Sequence, residues 1–307
     1  MHHRKIGSLS VSEVGLGCNN FGGRITQSET NSVVDACLEH GINFFDTADI
    51  YGNSLSETFL AEALGNRRKD VVIATKFGYE HGDFKGGASP AYIRESCEGS
   101  LKRLKTDVID LYQVHTPDPN VPIEDTLGEL DRLVKAGKVR EIGCSNFGVD
   151  LLRNAEKASQ PGTAKFVSVQ NHYSLLHTEP EADVIPECER TGLAFLPFFP
   201  LASGLLSGKY RKGGAVPESR RIKEGSDKLN DDVLTVVESL VSYAEGQGHS
   251  ILELSVSWLL RHPCVASVIA GATTPEQVKA NAAAGNWTLT EDDIKNVGAI
   301  VASAPKP

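Results

Sequence analysis

Paired cysteines are the first thing this sequence lacks. Its six, Cys18, Cys37, Cys97, Cys144, Cys188 and Cys264, stand far apart, with no CxxC. That argues against a disulfide framework or a zinc site and fits a reducing compartment. The histidines are scattered, without HxxxH or HExxH spacing, so no metal cage is expected. There is no GxSxG nucleophile elbow and no GxxxxGK[ST] phosphate loop. The nearest approach to a dinucleotide GxGxxG is Gly15-x-Gly17, with Asn20 where the third glycine belongs. No apolar run approaches the ~18 residues of a membrane span. The opening MHHRKIGSLSVSEVGLG has no apolar signal-peptide core. Basic residues are outnumbered, 31 to 40, for a net charge of −9, which argues against nucleic acid or anionic membrane as a partner. A soluble, cytoplasmic, metal-free chain is expected, as a monomer or small homo-oligomer.

What is there is a repeating pattern. The chain has 307 residues, 40% hydrophobic and 23% charged, enough for one sizeable core. Short apolar runs rich in β-branched and aromatic residues fall at 14–18, 42–46, 71–76, 108–114, 139–144, 166–170, 193–198 and 265–269. Helical periodicity lies between them, at 28–40, 54–64, 124–136 and 148–158. Ser54-x-x-Glu57 reads as a capping box and Ser89-Pro90 as an N-cap followed by a first-turn proline. Eight strands alternating with helices predict parallel βαβ units closed into a (β/α)8 TIM barrel, with 1–307 as one domain. Residues 3–11 predict a short hairpin outside the barrel, and 290–302 an extra C-terminal helix. The irregular stretch 203–228 is long enough to suggest a functional loop.

In a parallel barrel the strand C-termini open on one face. Strand two ends at Asp46 with Tyr51 beyond, strand three at Lys76, strand four at His115, strand five at Ser145-Asn146 and strand six at Gln170. Singly, each has an ordinary explanation: a turn aspartate, a loop tyrosine, a snorkelling lysine, a core histidine. On adjacent strands, Asp46, Tyr51, Lys76 and His115 should converge. A tyrosine near its ordinary pKa of ~10 is a weak acid. An ammonium beside it is expected to lower that pKa, a carboxylate to hold the ammonium, and a histidine to hydrogen-bond a developing oxyanion. Such a set protonates a carbonyl oxygen while hydride reaches carbon. A Schiff-base lysine barrel is the competing chemistry. Thr47, Ala48 and Asp49 have no assigned role.

NFFDTADIYG, ATKFG, LYQVHTPD, GCSNF, VQNHYS, LASGLLSGKY and GATTPEQVKAN occur in this order. The sequence thereby resembles the aldo-keto reductase superfamily from about residue 4 to 300, closest to the branch of bacterial and plant reductases and potassium-channel β subunits. The resemblance implies a (β/α)8 barrel binding NADP(H) without a Rossmann fold and reducing small aldehydes or ketones. It implies Tyr51 as general acid tuned by Asp46, Lys76 and His115. Ser145, Asn146 and Gln170 match the positions holding the nicotinamide carboxamide, and Phe198 replaces the usual stacking tyrosine. Leu201, Ser203, Gly204, Leu206 and Lys209 resemble the pyrophosphate segment, with Arg220 closing from the long loop. Gly271, Thr273, Thr274, Gln277 and Asn281 match the adenosine end. Positions 271–277 contain no Lys or Arg for a 2′-phosphate, which leaves Lys279 and Arg220 for that role and NAD(H) open. A channel-like cofactor sensor is the alternative function. Substrate shape is expected from 19–24, 77–85 and 203–228, with Phe21, Tyr79 and Phe84 as candidate apolar walls.

Overall fold

The computed structural model describes residues 1–80, 82, 85–216, 222, 226 and 229–303. Arg220 and Phe84 therefore lie outside the described residues, as does much of 203–228.

The chain opens with the expected hairpin, β1 (His3–Ile6) and β2 (Leu9–Ser12), paired antiparallel. Eight parallel strands follow: β3 (Val14–Gly17), β4 (Phe44–Asp46), β5 (Val72–Phe77), β6 (Ile109–Val114), β7 (Val139–Ser145), β8 (Phe166–His172), β9 (Ala194–Phe198) and β10 (Val268–Gly271). Between them run α1 (Gln27–Glu39), α2 (Leu55–Leu64), α3 (Pro90–Arg103), α4 (Ile123–Lys135), α5 (Val149–Ala158) and α6 (Val184–Thr191). The pair α7 (Asp231–Gly246) and α8 (Ile251–Leu260) separates β9 from β10, and α9 (Pro275–Ala283) and α10 (Glu291–Ala302) complete the chain. Among the described residues no helix is long and apolar enough to cross a membrane.

The ladder order is β10-β3-β4-β5-β6-β7-β8-β9, all parallel. The two ends meet where Phe195 N donates to Cys264 O at 2.7 Å and Ala266 N to Phe195 O at 3.0 Å. The result is a nearly closed (β/α)8 barrel. The expected strand at 265–269 is corrected: residues 264–266 bond β9, and only Val268–Gly271 pairs with β3. The segment serves two neighbours in turn, because closing the barrel requires it to step from one to the other.

Side-chain alternation places Phe44, Val72, Ala74, Leu111, Ala194, Leu196, Ala266 and Ile269 in one buried cluster, with Ile6, Leu9 and Val11 from the hairpin. The strand-start residues in that cluster mark the N-terminal mouth, so the hairpin plugs it. Each plugging side chain contributes roughly 1.5–3 kcal/mol by burial. Ser8 N donates to Glu141 Oε1 at 2.7 Å and fastens the hairpin tip to β7. At the opposite mouth Asp46, Ser145 and His172 end β4, β7 and β8.

Ser89 caps α3 as expected, accepting from Tyr92 N, with Pro90 in the first turn. The Ser54–Glu57 capping box does not form. Ser54 is left-handed (φ 70°) and makes no cap bond, while Glu57 is buried and accepts from Thr75 Oγ1 and Arg103 Nε, each at 2.6 Å. A buried carboxylate facing a guanidinium outweighs a local cap.

Candidate active site

After Asp46 the backbone keeps pairing with β5: Thr47 N donates to Ala74 O at 2.8 Å and Asp49 N to Lys76 O at 3.2 Å. The chain then turns, with Tyr51 N on Ala48 O at 3.2 Å. Gly52 has φ +58°, and a Cβ there would stand 2.3 Å from Phe21 O, so only glycine lets the turn close against that loop. Thr47 Oγ1 lies 2.8 Å from Ser56 Oγ, which donates to Cys18 O at 2.8 Å. Tyr51 is therefore held by a turn fastened at both ends.

The four residues expected to converge do so. Lys76 is fully buried. Its Nζ donates to Asp46 Oδ2 at 2.6 Å, Thr47 O at 2.8 Å and Tyr51 OH at 3.3 Å, which uses all three ammonium donors. His115 N donates to Phe77 O at 2.8 Å, and its ring meets Tyr51 edge-on at 5.9 Å. Tyr79, which is exposed, stacks at a tilt on the same imidazole at 5.2 Å.

Burial sets the charge states. It pushes the Tyr51 phenol above its ordinary pKa, and the opposing pull of Lys76 does not reverse this. The expectation of a lowered phenol is thus corrected: the ammonium acts in the expected direction, but exclusion of water is the larger effect. For Lys76, burial alone would lower the pKa, yet Asp46 and Tyr51 raise it on balance, so the ammonium persists. Burial, then Lys76, push His115 down to about 3, leaving a neutral imidazole at neutral pH. Its Nδ1 is buried with no hydrogen-bond partner among the described residues.

Ser145, Asn146 and Gln170 stand beside this group. Ser145 Oγ donates to Gln170 O at 2.8 Å, and Asn146 Nδ2 to His115 O at 2.9 Å and Ser145 Oγ at 3.2 Å. Gln170 turns its Nε2 onto Asp46 Oδ1 at 2.9 Å. Gln113, which the strand-end reading passed over, does the same at 3.2 Å. Its signal was present: in LYQVH, alternation puts Gln113 on the same face as Leu111, which lies inside the barrel.

The remaining candidates are distributed around the mouth. Phe198 ends β9, half-buried, and stacks against His172 at 5.5 Å and 11°. Leu201 precedes a short kinked turn, Ala202–Ser207, in which Ser203 (φ 61°) and Gly204 (φ 102°) have positive φ, and Leu206 is buried in the core. Lys209 folds back so that its Nζ would lie 3.0 Å from a Cβ at Gly204. Gly271 ends β10. Thr274 caps α9, and Gln277 Oε1 accepts from Thr273 N at 2.8 Å. Asn281 is buried, whereas Lys279 is exposed. Asn20 Nδ2 ties the 19–24 loop to Ala272 O at 3.1 Å. Phe21 is fully buried in the core and is no substrate wall.

Asp49, without a role in the sequence, is fully buried, and neither carboxylate oxygen has a hydrogen-bond partner among the described residues. Burial and nearby Glu57 push its pKa from 3.8 to about 7, against the pull of Arg103. The folded protein binds this proton more tightly than the unfolded chain, so this site's contribution to stability falls as pH rises from 3.8 through about 7. Asp49→Asn is expected to gain up to about 4 kcal/mol relative to wild type on the alkaline side compared with the acid side. Denaturant unfolding of both proteins across that range measures it; identical pH slopes would refute it.

The chain matches the Aldo/keto reductase family over residues 13–302. It is 33% identical to a probable voltage-gated potassium channel subunit beta of Oryza sativa subsp. japonica, covering 100% of this chain and 98% of that protein. It is 35% identical to the uncharacterized oxidoreductase YqkF of Bacillus subtilis (strain 168), covering 96% and 95%. Among solved structures, the holo form of aldo-keto reductase AKR11C1 from Bacillus halodurans superposes with a TM-score of 0.83 at 33% identity, covering 98% of this chain and 96% of that one. With the barrel, its polar mouth and these full-length likenesses, the chain belongs to the aldo/keto reductase family of oxidoreductases.

Proposed function

We propose that this oxidoreductase, with 1–307 acting as one domain, reversibly reduces aldehydes or ketones to alcohols with NADP(H). The observation that carries the reading is the buried Lys76 ammonium bound at once to Asp46 and Tyr51.

The residues present fit a nicotinamide. Gln170 commits its amide nitrogen to Asp46, and its amide oxygen is of the type that accepts a carboxamide N–H. Ser145 and Asn146 supply further polar atoms, and Phe198 a ring beside them. Lys209 against Gly204 and the N-terminus of α9 offer positive potential for phosphates. The nicotinamide supplies hydride when bound. Tyr51 keeps its proton, because burial holds the phenol neutral, and gives it to the carbonyl oxygen as charge develops there. Lys76 stabilises the phenolate left behind. The neutral His115 imidazole hydrogen-bonds the same oxygen, and Asp46 holds Lys76 in place. A Schiff-base role for Lys76 needs a neutral amine, and Asp46 keeps this one charged.

NADP(H) is favoured by family, with Lys279 on α9 a cation at the segment matching the adenosine end. The test is loss of NADPH absorbance with a panel of aldehydes and ketones, alongside titration with NADPH and NADH. Turnover with tighter NADPH binding is expected. Much tighter NADH binding would overturn the cofactor choice. Binding without turnover of any carbonyl would favour the cofactor-sensing reading that the rice channel-subunit relative suggests.

A further inference from the structure

Asp46 accepts from three side chains: Lys76 on Oδ2 at 2.6 Å, and Gln170 and Gln113 on Oδ1 at 2.9 and 3.2 Å. Gln113 is fully buried and pairs in register with Lys76 on the neighbouring strand. Its Nε2 faces the carboxylate because an ionised carboxylate only accepts. That orientation leaves Gln113 Oε1 buried with no partner among the described residues. An orphaned acceptor is a net cost to folding, which an apolar side chain of similar size avoids. Gln113 pairs with Gly143 on β7, where a Cβ would only touch Gln113 Cγ at 3.4 Å but would clash with Ser168 Oγ at 2.4 Å. The barrel gives up a satisfied acceptor at 113 and gains a second donor on one carboxylate oxygen.

We propose that Gln113 is a positioning residue for the reduction: together with Gln170 it clamps Asp46 Oδ1, so that Oδ2 faces Lys76 and Lys76 reaches Tyr51. Asp46 without the clamp is free to rotate about its last torsion, and the Lys76 to Tyr51 contact, already long at 3.3 Å, is the first to be lost. Gln170 also stands beside Ser145 and Asn146, so the clamp joins the cofactor-facing residues to the proton-donating ones. The inference rests on the reductase reading above.

The test compares wild type, Tyr51→Phe, Gln113→Met and Gln113→Glu by kcat, KM and thermal unfolding. Gln113→Met keeps the volume and removes the donor. Its kcat is expected to fall about tenfold with little change in KM for NADPH and a Tm near that of wild type. Gln113→Glu restores a donor only while protonated. Its kcat is expected to be near wild type at acid pH and to fall at higher pH, where a second carboxylate faces Asp46 among Lys76, Tyr51 and His115. Wild-type kcat in Gln113→Met overturns the proposal, as does a loss that merely follows a large drop in Tm. The absence of a new pH limb in Gln113→Glu does so too. Wild type inactive on every carbonyl, or Tyr51→Phe fully active, instead sinks the reductase reading itself.

Discussion

Tyr51→Phe is expected to lower kcat for carbonyl reduction by roughly 10² to 10⁴-fold, the usual contribution of a positioned general acid. NADPH affinity is expected to stay within about twofold, because on this reading the phenol acts in the transition state and not in cofactor binding. The ring packing is preserved, since phenylalanine keeps the edge contact with His115 and the face under Lys76, whose Nζ lies 4.9 Å from the ring centre. Only the hydroxyl is lost, and with it one of the three partners of Lys76. Steady-state kinetics and a fluorescence titration with NADPH separate the two effects. Equal loss of both would make Tyr51 a structural residue and remove it from the proton-transfer role.

Lys76→Met is expected to damage both folding and catalysis. Lys76 is fully buried, and the Asp46 side chain is only 5% exposed. Removing the ammonium leaves a buried carboxylate with amide donors but no countercharge, a loss of about 3–5 kcal/mol. The rate is expected to fall by about 10² or more, since the phenolate formed at Tyr51 loses its cation. The double variant Asp46→Asn/Lys76→Met separates the two. With both charges gone, much of the stability is expected to return, because a buried ion pair replaced as a unit is often near neutral, whereas activity is not. Denaturant unfolding and kcat on the three proteins measure this. A single Lys76→Met variant as stable as wild type would mean that the pair contributes nothing to the fold.

The residues that converge were legible because a barrel strand hides nothing about direction. Apolar runs with a polar end, followed by a helix, repeat along the chain, and parallel neighbours carry their ends to one mouth. Asp46, Tyr51, Lys76 and His115 could therefore be placed together from order alone. Gln113 was equally legible by alternation, yet it sits one step inside the strand, and attention to strand ends passed over it. Ser54 and Glu57 misled for the opposite reason. Their spacing fits a local cap, but Glu57 is drawn to Arg103, 46 residues away, and no local pattern contains that partner. Phe21 looked like a loop aromatic free to line a pocket, and packing buried it. The last strand shifted because one segment must bond β9 and then β3 to bring the barrel nearly shut.

The 307 residues by themselves determined the number and order of strands, an N-terminal hairpin outside them and the polar residues that meet at one mouth. Those follow from alternation, helical period and turn chemistry, which act over a few residues. Three things were decided only by the tertiary structure: the upward direction of the Tyr51 shift, the two amides on Asp46, and the isolation of Asp49. Each depends on how completely water is excluded where the strands close together, and that exclusion arises only when distant segments pack.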